Sequence, residues 1–259
     1  MISVRHRDPV FISTVRTAVF GQDNWGKIND FDEVLDGAPV GRGQPFEESD
    51  LFTSFRQVFI DGDSWEATPF FRNLMKLMAK RGMIYRCTSR EALLERLERD
   101  VGQIWQSMQR NGYRSQAEIL DALWRETPAA ADFRPFQEGR YHSSVTTNHE
   151  LKVGFNEDGD ILFLDGRHRF AIARLQEVPE IPAHVVFRHH LWIARKARLL
   201  ALSTEHPSDR DDMALDHPDL PQRFVSAAHL PVLQAEFAAN GWPMPRLRSL
   251  ATGSAAGGV

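Results

Sequence analysis

The stretch Ile161 to Leu175, ILFLDGRHRFAIARL, constrains this 259-residue sequence more than any other. Ile161 to Leu164 form an apolar run of strand length, Asp165-Gly166 is a turn signal, and the residues that follow carry apolar side chains at helical spacing. A helix that begins near Gly166 directs the free amides of its first turn, and the positive end of its dipole, away from the sheet edge. Gly166 has no β-carbon and lets a second backbone or a ligand approach. Arg167, His168 and Arg169 add side-chain donors at the same point, which is how a pocket for phosphate or another small oxyanion is built. Periodicity separates the three. His168 falls on the stripe of Ala171, Ile172, Leu175 and Val178, expected to face the sheet, whereas Arg167 and Arg169 fall off it. Two solvated arginines and a core histidine would give the same spacing, so spacing alone supports both readings equally.

The flanking sequence sets this stretch in an α/β arrangement. HELKVGF and ILFLD, joined by NEDGD with its Asp-Gly signal, predict a hairpin, and IPAHVVF predicts a third strand after the helix. Three strands make a marginal sheet, so the short strand expected near Val10 to Val15 and the helices are needed to complete it. From Glu47 the pattern is helical: Leu51, Phe55, Val58 and Phe59 share one face, and Thr68-Pro69 reads as an N-cap with proline at the first helical position. Gly82 stops that helix. Thr88-x-x-Glu91 reads as a capping box for a long helix ending at Asn111-Gly112, and Ser115-x-x-Glu118 caps another reaching Trp124. A Pro/Ala-rich linker, ETPAAADFRPFQEG, separates these helices from the hairpin. Further on, Trp192 to Leu202 and Phe224 to Ala239 read as helices around an acidic loop, HPSDRDDMALDHPDLP.

The fold class expected is therefore α/β (α+β), a small mixed sheet with a large helical elaboration over 47–125 and a helical C-terminal segment. Residues 1–246 are read as one domain with its core motif over 149–190, and 247–259 as a disordered small-residue tail. Composition bounds the function. A formal net charge of -4 argues against a surface devoted to nucleic acid, and no apolar run approaches the length of a membrane span. The single cysteine, Cys87, excludes an internal disulfide and a Cys-rich zinc site. The N-terminus lacks signal-peptide character, and the expectation is a cytoplasmic protein.

The segment ILFLDGRHRFAIARLQEVPEIPAHVVFRH resembles the core signature of the ParB/sulfiredoxin-like superfamily: a strand, D-G-x-H-R, an Ala-containing helix, and a strand introduced by Ile-Pro. The resemblance covers about 40 residues, Leu151 to His190, about a sixth of the chain. It implies that Gly166, His168 and Arg169 hold nucleotide phosphates, with Arg167 at the family's variable position. Sulfiredoxins carry their catalytic cysteine there, so Arg167 disfavours that chemistry. ParB partition proteins carry an acidic residue in a G-E-R-R version, so Arg167 also disfavours partition.

Free-serine kinases of this fold have a D-G-H-H-R loop, one position away from Asp165-Gly166-Arg167-His168-Arg169. That resemblance implies an ATP- or ADP-dependent kinase acting on a small hydroxyl-bearing metabolite, with Mg²⁺ or the acceptor at Asp165. A glutamate of the N-terminal region would act as base, with Glu47 and Glu48 the leading candidates and Glu33 and Glu66 behind them. The alternative is a ParB-like nucleotide-gated or DNA-binding, nuclease-like protein without kinase activity. In that case the basic patch Arg188, Arg195, Lys196 and Arg198 would meet nucleic acid.

Overall fold

The computed structural model describes residues 1–12, 33–115, 118–119, 150–209 and 211–250. The linker ETPAAADFRPFQEG, and the end of the helix expected to reach Trp124, lie outside these residues.

Six described strands form a mixed sheet: β1 (Ile2–Arg5), β2 (Val10–Ile12), β3 (Glu33–Leu35), β4 (Leu151–Phe155), β5 (Ile161–Asp165) and β6 (Glu180–His189). The order is β1-β6-β4-β5-β2, and β3 also pairs with β6. β4 and β5 form the expected antiparallel hairpin. Its turn is closed by Asn156, whose side-chain oxygen accepts from the amides of Asp158 and Asp160, with Gly159 at φ 84°. β6 lies parallel to β4. Its ten residues are long enough for β1 to pair with one half of it, antiparallel, and β3 with the other, parallel. The late strands thus recruit the N-terminal segment. β4 is buried along its whole length and β5 up to Leu164, which explains why ILFL is a continuous apolar run and does not alternate.

One helix, α4 (Arg167–Leu175), connects β5 to β6. A helical layer packs against it. The layer comprises α1 (Asp50–Arg56), α2 (Pro69–Arg81) and α3 (Arg90–Asn111). Ser49 caps α1, accepting from Phe52 N at 3.2 Å, and the chain continues as a π-turn over Gln57–Asp61 to Gly62, at φ 82°. Thr68 caps α2 with Pro69 behind it, and Gly82 ends α2 in the left-handed region, as read from sequence. Glu118 N donates to Ser115 Oγ and Ser115 N to Glu118 Oε2, the reciprocal pair of a capping box.

The cap of α3 lies one residue later than the sequence implied. Ser89, not Thr88, has the extended backbone, and its hydroxyl accepts from Ala92 N at 3.2 Å. On the inner face of α3, Leu93, Leu97, Val101 and Met108 are buried, while Ile104 and Trp105 are only partly covered.

After β6 come α5 (His190–Ala201), β7 (Met213–Leu215), β8 (Phe224–Val225), α6 (Leu230–Ala239) and β9 (Leu247–Ser249). The sequence reading missed the small antiparallel sheet β8-β7-β9. Its central strand lies in the acidic stretch read as loop. Phe224 exchanges backbone hydrogen bonds with Thr204, so the last helix starts at Leu230 and not at Phe224. Leu247–Ser249 pair with β7, so the ordered chain extends past the expected start of the tail, and residues 251–259 lie outside the described ones. Asp219 ties this segment to the sheet. Its buried carboxylate accepts from Arg188, Lys196 and Trp192 Nε1. Burial alone would raise the Asp219 carboxyl, but these donors together hold it below the ordinary value. No helix among the described residues is long and apolar enough to cross a membrane.

The two candidate caps of α3 make different predictions. Ser89→Ala should cost about 1 kcal/mol of stability and Thr88→Ala almost none, measured by denaturant unfolding. Equal effects would contradict the cap geometry.

Candidate anion-binding cleft

β5 ends at Asp165, and Gly166 turns the chain into α4 at φ 92°. A β-carbon at Gly166 would meet that unfavourable backbone and also lie 3.2 Å from Leu151 Cα, so the position disfavours other residues on two counts. Asp165 Oδ1 accepts from Gly166 N at 2.8 Å, which fixes the turn. The first backbone bond into the helix is Phe170 N to Gly166 O, and no side chain caps the helix. The residues of this uncapped first turn line a cleft of about 340 Å³. Tyr85, Ile104, Glu150, Asp165, Arg167, His168 and Arg169 line it.

Both arginines rest on protein groups. Arg167 is exposed, donates from Nη2 to Tyr85 Oη at 2.6 Å, and lies over the Phe70 ring. Arg169 is half-buried, donates from Nη1 to Glu150 Oε2 at 3.4 Å, and lies over Tyr113. The Tyr113 hydroxyl donates to the same Glu150 oxygen at 3.3 Å. Burial pushes the Tyr113 hydroxyl up to about 12. Arg169 opposes that shift and Glu150 adds to it, so Tyr113 stays a donor across the working pH range.

His168 does not face the sheet. Its ring stacks on Phe55 at 5.6 Å and meets Phe70 and Tyr85 edge-on, all contributed by the helical segment. The sheet-facing residue is Phe170, packed on Phe163 of β5 and on Phe46. Two residues of helix rotate it about 200° from His168. Because α4 is covered on both sides, an apolar stripe alone could not say which layer it faced. Burial, with Arg167 adding to it, lowers the His168 pKa to about 4, so the ring is neutral near pH 7. It therefore contributes no positive charge for a phosphate. Its Nε2 is enclosed and has no hydrogen-bond partner, and its backbone amide remains part of the first turn.

The carboxylates nominated from sequence are not gathered here. Glu47 pairs with Arg174 at 3.6 Å. Arg174 stands near the far end of α4, roughly 10 Å along the helix axis from Arg167 at 1.5 Å per residue. Glu48 is exposed on the same short 3₁₀ turn, Phe46–Glu48. Glu66 pairs with Arg90, and Glu33 belongs to β3, beside β6. The carboxylates in the cleft are Asp165 and Glu150. Glu150, 4% exposed, was missed although the hairpin register could have revealed it: β4 begins where β5 ends, with Lys152 opposite Asp165. Lys152 is itself buried, which lowers its pKa against the opposing pull of Asp165. Tyr85 is brought in by tertiary packing alone and left no local signal.

The cleft suits Mg²⁺ only in the manner of a nucleotide site, where one or two carboxylates share the ion with phosphate oxygens and water. Asp165 and Glu150 are two such groups, and no cluster of three His, Cys, Asp or Glu able to hold a metal occurs among the described residues. The basic patch is spent internally: Arg188 and Lys196 on Asp219, Arg195 on Asp158, Arg198 on Glu236.

The neutral burial of His168 has a pH consequence. Its folded pKa lies below the ordinary 6.5, so between about pH 6.5 and 4 the unfolded chain binds the proton and the folded one does not. Stability should fall as pH drops through that window, by on the order of 3 kcal/mol once both states are protonated. Thermal unfolding of wild type and His168→Leu at pH 7, 5.5 and 4.5 should show a shallower acid limb in the variant, and parallel curves would refute the assignment. Burial lowers the His217 pKa as well, which leaves a residual slope. Comparison with protein-family models, curated proteins and solved structures found no match to this chain.

Proposed function

We propose that the cleft at the start of α4 binds the phosphate chain of a nucleotide, ATP or ADP, and that the protein transfers a phosphoryl group to a small hydroxyl-bearing metabolite. The observation that carries this reading is the convergence of the uncapped first turn of α4 with two guanidinium groups on one open cleft. Helix amides favour an anion, and cations at a helix N-terminus are unfavourable unless an anion sits between them and the dipole. The kinase-like D-G-x-H-R loop supports the phosphoryl-transfer part, as does the resemblance to the ParB/sulfiredoxin-like fold.

In this reading the amides of residues 167–169, with the two arginines, take the phosphates. Glu150 and Tyr113 orient Arg169, while Asp165, the exposed carboxylate at the strand end, is placed to take the acceptor proton or to hold Mg²⁺. The acceptor oxygen bonds the transferred phosphorus as its bond to the bridging oxygen breaks, and the hydroxyl proton passes to Asp165. Mg²⁺ would supply charge neutralisation between phosphate oxygens. Glu47 is given no role in this reading, because it does not line the cleft and pairs with Arg174. The DNA-binding alternative loses its main support, since each side chain of its patch is committed to a carboxylate.

Calorimetric titration of ATP, ADP and CTP with Mg²⁺ tests the reading. Arg167→Gln is the better probe than Arg169→Ala, because Arg167 is exposed whereas removing Arg169 takes a partner from the buried Glu150. Micromolar binding to wild type, weakened about tenfold or more in Arg167→Gln, is the expected outcome. No binding of any nucleotide by wild type would overturn it.

A further inference from the structure

The wall of the cleft opposite α4 contains a turn that the fold alone does not require. Ile84 and Cys87 exchange both backbone hydrogen bonds, Ile84 N to Cys87 O at 3.0 Å and Cys87 N to Ile84 O at 2.8 Å. The two residues between them, Tyr85 and Arg86, have φ of 50° and 60°. That is the type I′ geometry, whose central positions favour Asn and Gly because other side chains crowd the backbone there. Neither residue is of that kind. Glycine takes the left-handed position at Gly62 and Gly82, whereas Glu177 and Gln222 carry side chains there, and only Tyr85 and Arg86 do so side by side among the described residues.

The strain is held in place deliberately. Arg96 reaches from α3 to donate to the Tyr85 carbonyl, and the Cys87 thiol lies 3.5 Å from the same oxygen. What this posture achieves is the placement of one side chain. The Tyr85 ring rests edge-on against His168, and its hydroxyl accepts from Arg167 at 2.6 Å inside the cleft. A phenol that accepts from a guanidinium has its own proton left to give. Here that proton is next to the point where the helix amides and Arg167 draw an anion.

We infer that Tyr85 is a binding residue of the cleft, donating its hydroxyl proton to an oxygen of a phosphate or polyphosphate ligand, and that the Tyr85-Arg86 turn is kept strained to present it. This rests on the reading of the cleft as a phosphate site. When the ligand is absent, Tyr85 Oη parks Arg167. When it is present, both groups turn to the same phosphate, Arg167 as charge and Tyr85 as an oriented neutral donor. The turn thus favours ligands whose phosphate oxygens extend beyond the first turn of α4 toward α3, a diphosphate or longer chain over a single phosphate.

The test uses the whole chain with inorganic pyrophosphate and inorganic phosphate as probes, by calorimetry, and Tyr85→Phe as the variant. This substitution deletes only the hydroxyl and keeps the ring on His168. Pyrophosphate affinity should fall about tenfold, phosphate affinity should change less, and the unfolding midpoint should stay within a degree or so. The strain is tested separately with Arg86→Gly, whose side chain is exposed: its midpoint should rise by a few degrees. Unchanged pyrophosphate binding in Tyr85→Phe overturns the assignment of Tyr85, and a lower midpoint in Arg86→Gly overturns the strain. Wild type that binds neither probe overturns the cleft reading itself, and the two failures are thus distinct.

Discussion

The two-sided burial of α4 is the constraint on which the rest depends. This nine-residue helix is too short to persist alone, so packing must hold it. On one side Phe170 packs on Phe163 and Phe46, and on the other His168 stacks on Phe55 beneath Phe70. Ala171 and Ala173 are completely buried, small enough to let neighbouring elements approach the helix. Burying a single phenylalanine contributes roughly 1.5–3 kcal/mol, so the aromatic contacts on the two faces are enough to fix the helix axis. With the axis fixed, so are the direction of the first-turn amides and the position of the cleft. The helical layer therefore completes the site: without Phe55 and Phe70 the start of α4 would have a sheet behind it and nothing in front.

Charge is distributed with the same economy. Around the C-terminal segment cations and carboxylates are matched closely, most tightly at Asp219, and the local basic character of FRHHLWIARKAR is neutralised there. The start of α4 is different. Arg167 finds a neutral phenol, Arg169 shares one oxygen of Glu150 with Tyr113 at hydrogen-bond limits, and the helix dipole opposes both cations. These are weaker partnerships than the bidentate grip of Arg188 on Asp219. The contrast marks where positive charge has been left available to something else.

Much of this was legible in the sequence, and the losses have identifiable causes. The hairpin, the glycine turn, the Thr68-Pro69 start and the Gly82 and Gly112 stops were readable because each depends on local backbone chemistry. Ser89 displaced Thr88 as a cap because adjacent hydroxyl residues offer the same signal and tertiary packing chooses between them. The small sheet of β7, β8 and β9 is made of strands two or three residues long, paired across more than thirty residues of chain between Met213 and Ser249, which no local pattern encodes. The turn was legible from its motif, but the layer that His168 faces was not: periodicity assigns a residue to a stripe, not to a neighbour. Glu47 lies away from the cleft, which was not legible for a related reason. Sequence proximity to the helical layer does not say which end of α4 a side chain meets, and the answer was Arg174.

A folded chain tends to collect its locally unfavourable choices where function requires them. In this molecule several of them lie around one point, although Glu177 and Gln222 are also left-handed and Arg174 Nε and Arg195 Nε are also buried without partners elsewhere. Two arginines sit at the positive end of a helix, a histidine is held neutral with a ring nitrogen unpartnered, and Tyr85 and Arg86 occupy the left-handed region. A leucine in place of the imidazole would relieve the unpartnered nitrogen and an Asn-Gly turn the left-handed pair, and neither the free ring nitrogen nor the left-handed pair is needed to close the sheet. Packing constraints alone would give no reason for these departures to coincide within one cleft of about 340 Å³. A ligand carrying negative charge gives that reason, since it would pair the amides and both guanidinium groups and use the phenol that the strained turn presents.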